Sequence, residues 1–182
     1  MRNFLHFLLV VLLLAVVHEG AHALTARLYG EYEALRARPF GLEVTYVTPV
    51  AERQGLQWAI IAGSGNALTI LIGYALFFAR RRIASIPKLH VRGFGYWSTV
   101  LFLLVDPLNM ALGPFLYGGD AGGIAAGLEV SRAVVQAISL VILLLNRELV
   151  VQRVFPAFHI QTRHPLFRPL IPLPGGKEPG AA

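Results

Sequence analysis

His18 and His22 stand four residues apart, with Glu19 directly after the first, in the run His18-Glu19-Gly20-Ala21-His22. On a helix, positions i and i+4 share a face. Two imidazoles so placed can hold one metal ion at about 2.0–2.1 Å each. Glu19 then projects beside that ion, where its carboxylate can take a proton from an attacking water and hand it to a leaving amine. This spacing points to zinc and to hydrolysis of peptide bonds. Gly20 and Ala21 are small, so another backbone or a substrate can come close.

A catalytic zinc takes three protein ligands and keeps one position open. The chain has no cysteine, which excludes a thiolate ligand, a cysteine nucleophile and disulfides. His6 lies about three turns upstream of His18, too far along the helix axis. His90 falls in a basic loop, and His159 and His164 fall in the C-terminal tail. Two aspartates remain. Asp120 sits in Gly118-Gly119-Asp120-Ala121-Gly122-Gly123, where glycines permit unusual backbone angles and close approach. It is the first choice as third ligand; its other reading is a helix N-cap, and the two roles can coexist. Asp106, in Leu104-Val105-Asp106-Pro107, is the second choice, or else a turn residue before proline.

What must position these groups is apolar. The 182 residues are 55% hydrophobic and 14% charged, with a mean hydropathy of +0.60; soluble domains carry roughly 25% charged residues. Four apolar segments, at about 4–28, 56–79, 94–116 and 124–145, approach or exceed the roughly 20 residues that cross a hydrocarbon core as a helix. The expected fold is therefore an all-α membrane protein, a bundle of about four transmembrane helices. After the first helix, residues 42–47 read as a short strand or re-entrant segment ended by Pro49. Residues 1–155 form the membrane domain. Residues 156–182 hold six prolines and three glycines and are expected to be a flexible tail. The first segment continues through the histidines without a cleavage site, so it is retained and is no signal peptide.

The net charge of +6 does not point to nucleic acid, because the basic residues flank apolar segments and form no stripe with interleaved aromatics. With four spans, 11 Lys and Arg fall on the side of both termini and five on the other. That bias places the termini in the cytoplasm and the His18–His22 end of the first span outside. Arg80, Arg81 and Arg82 read as a cytoplasmic anchor, and Trp58, Tyr96 and Trp97 as interfacial aromatics. Glu129 and Arg132 read as a pair on one helix.

These motifs resemble the site-2 protease family of intramembrane zinc metalloproteases. The likeness rests on His18-Glu19-Gly20-Ala21-His22 in an early helix, on Gly63-Ser64-Gly65-Asn66 in a later one, and on Asp120 in a glycine-rich turn before a final helix. It covers residues 4–145 and looks closest to small members without an inserted PDZ or CBS domain. The family places an Asp-Gly where this chain has Asp120-Ala121-Gly122. It places a Gly-Pro-x-x-Asn where this chain has a shorter stretch without the proline. The resemblance implies His18, His22 and Asp120 as zinc ligands, Glu19 as general base and Asn66 as a substrate-binding residue; Asn66 reads equally as an interhelical hydrogen bond among small residues. It also implies a membrane-anchored protein as substrate, in the cell membrane, and zinc near the cytosolic face, against the charge count. Two other classes stay open: an inactive relative that scaffolds membrane partners, and a small transporter using the intramembrane charges.

Overall fold

The computed structural model describes residues 2–38, 41–116, 118–162 and 164–171. From residue 7 to 17 every side chain is apolar, and where lipid offers no hydrogen bonds a helix satisfies its own backbone. Helix α1, Arg2–Leu28, follows. It stops at Gly30, whose φ of 75° suits glycine. The Glu31 N–H closes back on the Ala26 carbonyl at 2.8 Å, the cap that ends many helices. Strands β1 (Tyr32–Arg38) and β2 (Gly41–Tyr46) form an antiparallel hairpin against α1. Helix α2 is Leu56–Ala84 and α3 is Leu89–Leu112. Helix α4, Gly119–Gly127, is short, and α5, Arg132–Leu149, runs through a π-turn at Val150–Val154 into α6, Phe155–Ala157.

Four stretches are long and apolar enough to cross a membrane: Phe4–Leu28, Leu56–Ala84, Leu89–Phe115 and Arg132–Ala157. The first three lie where the sequence puts them. The fourth, expected at 124–145, begins at Arg132 because the apolar run is broken by a turn. Glu129 adopts a φ of 56°, and the Val130 N–H caps α4 on the Ala125 carbonyl at 3.0 Å. Glu129 and Arg132 therefore flank that turn and do not share one helix. The strand-like segment is a strand, paired with residues 32–38 in a hairpin.

Helix α3 is the most enclosed of the four. Its Leu101 and Phe102 pack on Val10 and Leu14 of α1, and its Val100 and Leu103 pack on Phe77, Val150 and Val154. Glycines bring backbones together, a frequent device between membrane helices. A Cβ on Gly73 would lie 2.9 Å from the Phe102 backbone, and one on Gly127 only 2.3 Å from the Ala59 nitrogen. Pro107 interrupts α3, since proline has no N–H to give the carbonyl one turn back. The freed Leu103 carbonyl takes the Asn146 amide at 2.8 Å, and Asn146 in turn accepts the Tyr74 hydroxyl at 2.7 Å.

The expected boundary at 155 falls inside α6. Residues 164–171 carry a short 3-10 turn at Pro165–Phe167 and are clasped against α5 and the π-turn. Arg147 donates to the Leu166 and Arg168 carbonyls at 2.6 Å each, Glu148 accepts the Leu170 N–H at 3.1 Å, and Gln152 donates to Ile171 at 2.6 Å. Arg163 and residues 172–182 lie outside the described residues.

Candidate metal centre

Helix α1 turns His18, Glu19 and His22 toward the place where α2 and α4 meet. The His22 Nδ1–H donates to the Ile61 carbonyl of α2 at 2.7 Å, and the Ser64 hydroxyl donates to the same carbonyl at 2.8 Å. The His18 Nδ1–H donates to Asp106 of α3 at 3.1 Å. A neutral imidazole that donates through one nitrogen keeps a lone pair on the other. With both rings neutral, the two Nε2 atoms present lone pairs, and they stand 3.0 Å apart. Asp120 Oδ2 completes a triangle, 3.1 Å from His18 Nε2 and 3.5 Å from His22 Nε2. Ligands at zinc distances on a tetrahedron are separated by roughly 3.3 Å. His18, His22 and Asp120 can thus hold a metal ion.

Each donor is held by a second group, as in many metal sites. Asp106, left open by the sequence as an alternative third ligand, lies on the far nitrogen of His18. It is buried there and also accepts from Thr69. Its place is behind the His18 ring. Asn66, expected to meet substrate, is 2% exposed and donates to Asp120 Oδ2 at 2.8 Å. That contact is an interhelical hydrogen bond onto the carboxylate. Asp120 occupies the first turn of α4, after Gly119 with a φ of 50°, and its carboxylate goes to the histidines and not to a cap. A helix N-terminus also favours a negative charge.

Gly65 was not singled out as a site residue. A Cβ there would lie 2.5 Å from His22 Nε2 and 3.0 Å from His18 Cδ2, so both rings rest on α2 at a position that only glycine leaves open. The paired glycines around Ser64 were the available signal. The remaining histidines stay away from the centre. His6 and His90 approach each other at 3.4 Å near the opposite end of α1, and His164 packs on Phe167.

Glu19 faces a cavity of about 780 Å³ bounded by the donors, β2, Trp58 and the glycines of α4. A Cβ on Gly118 or Gly122 would meet nothing within 4 Å, so their bareness widens the cavity and serves no packing contact. The Glu19 carboxylate accepts the Val44 N–H at 3.1 Å. Thr45 pairs with Ala34 and Glu43 with Arg36; between them, the Val44 N–H points away from β1. Backbone groups alternate in direction along a strand, so Leu42 and Tyr46 share that outer edge. Arg53 spans the cavity mouth, its guanidinium 4.7 Å above the Tyr46 ring and 5.0 Å above Trp58. Burial, and then the charges of Asp120 and Glu19, push the Tyr46 phenol above its ordinary pKa and keep it protonated.

No family model, no curated protein and no solved structure matches this chain.

Proposed function

We propose that this chain is a multi-pass membrane protein that hydrolyses peptide bonds of membrane-anchored proteins with a zinc ion held by His18, His22 and Asp120, as a hydrolase of the site-2 protease kind. The observation that carries the reading is the triangle of lone-pair atoms: two Nε2 and one carboxylate oxygen, 3.0–3.5 Å apart. Three acceptors so close repel unless they share a cation. Two nitrogens and one oxygen suit zinc. A Glu at the edge of the same cavity is what separates a hydrolytic centre from a purely structural one.

Zinc, when bound, supplies an electrophile for the scissile carbonyl and lowers the pKa of water toward ~7. The protein's own residues do the rest. Asp106 fixes the His18 ring, and the Ile61 carbonyl fixes that of His22. Asn66 orients Asp120. Glu19 takes the proton from the attacking water and returns it to the leaving amine. The outer edge of β2 offers backbone groups along which an extended substrate can add as a strand, and Gly118 and Gly122 leave room for it on the opposite wall. A helical substrate must unwind to do so, because its carbonyls are otherwise already bonded.

The test pairs metal content with cleavage of fluorescein-labelled casein by the detergent-purified protein. The expected result is about one zinc per chain, cleavage by the wild type, and none by Glu19→Gln with its zinc retained. A zinc-loaded wild type that cuts nothing, or a Glu19→Gln variant that cuts equally well, overturns the reading.

A further inference from the structure

Glu19 is tied in a way the other groups of the centre are not. The donor atoms of His18, His22 and Asp120 lie within 4.8 Å of one another, and Glu19 is not part of that group. Its carboxylate instead accepts the Val44 N–H at 3.1 Å. That amide belongs to the free edge of β2, and it is the donor an extended substrate would need for strand addition beside the metal. An N–H makes one good hydrogen bond, so the two acceptors compete for it.

We propose, on the footing of the hydrolase reading above, that the Val44 amide is a shared donor: it holds Glu19 in the resting protein and passes to a carbonyl of the arriving substrate strand, which frees Glu19 to act on water. The substrate class follows. It is an extended segment long enough to reach β2 as well as the bond to be cut, and a peptide too short to pair with β2 leaves the base tied. Binding energy from the remote part of the substrate then appears in kcat, where it speeds the chemical step. The device also guards the membrane, since a polypeptide that stays helical offers β2 no free carbonyl.

Val44→Pro removes this donor and none of those facing β1, and proline is tolerated on the outer side of an edge strand. The probes are a labelled peptide of about twelve residues, taken from a site the wild type cuts in casein, and the tetrapeptide at its centre. Losing one hydrogen bond to a charged group corresponds to roughly a tenfold change. Val44→Pro is therefore expected to cut the tetrapeptide about tenfold faster than the wild type and the long peptide about tenfold slower. Loss on both peptides, or no change on either, overturns the proposal. Zinc content shows whether the variant has kept its centre. A second measurement needs no variant: in the wild type, lengthening the peptide should raise kcat, and an unchanged kcat with a lower KM overturns the shared-donor idea. Glu19→Gln separates the two levels. Activity in that variant removes the hydrolase reading itself, whereas an inactive Glu19→Gln with the wrong signs for Val44→Pro removes only the competition.

Discussion

At the far end of α5, Glu148 is 5% exposed and takes hydrogens from Arg147, Gln152 and the Leu170 amide. At the cavity end, Asp120 faces two imidazole nitrogens whose own hydrogens are spent on Asp106 and the Ile61 carbonyl. Both ends place a carboxylate among polar groups within an apolar bundle. One end matches acceptors with donors and closes. The other brings two imidazole nitrogens and a carboxylate oxygen together, with one amide donor, Asn66, on the carboxylate. Burial and polarity alone do not tell these ends apart; the ledger of hydrogens does. A matched cluster holds segments together, whereas converging acceptors make a seat for a cation.

The contrast breaks most sharply if a ligand is removed. His22→Ala or Asp120→Ala should weaken zinc binding by about a hundredfold or more, since each leaves two protein ligands where three are needed; metal content after dialysis against a weak chelator measures it. Glu148→Ala should leave zinc content unchanged, and a chain that loses its metal through Glu148 would erase the distinction between the ends. The next effect concerns the supports. Asp106→Asn and Asn66→Ala keep all three ligands but release their orientation, and such changes cost about 10–100-fold in metal affinity. Gly65→Ala tests the packing beneath the rings. A new methyl 2.5 Å from His22 Nε2 displaces a ligand atom, and the expected loss is about tenfold, read in the same titration. The smallest effect lies at the matched end, where Glu148→Ala removes the partner of the Leu170 amide. It should lower stability by about 1–3 kcal/mol in a denaturation series, with faster proteolysis of residues 164–171.

Much of the centre was legible because its spacing is local. His18 and His22 share a helical face by arithmetic, and Asp120 stood out for the glycines around it. The supports were harder to read because they act through tertiary contact. Asn66 read equally as a substrate residue and as an interhelical hydrogen bond, and nothing in its neighbours reveals that α4 passes beside it. Asp106 looked like a rival ligand since only the fold decides which nitrogen of His18 it meets. A carboxylate within an apolar span was itself a signal that some partner waited there. The start of the fourth span was missed because an apolar run hides a turn when glutamate, and not glycine, takes the left-handed position. The clasp on residues 164–171 uses backbone carbonyls and one amide, which no side-chain pattern announces.

The three donors of the centre are drawn from residues 18, 22 and 120, and the support behind His18 sits one position before Pro107, whose orphaned Leu103 carbonyl is taken up by Asn146. This order has a consequence in time. A chain still being synthesised carries its two histidines and Glu19 long before α4 exists, and α3 waits longer still for α5 to quiet its broken rung. The cluster is thus incomplete until residue 120 has been made, and its three side chains meet only once α1, α2 and α4 have packed together.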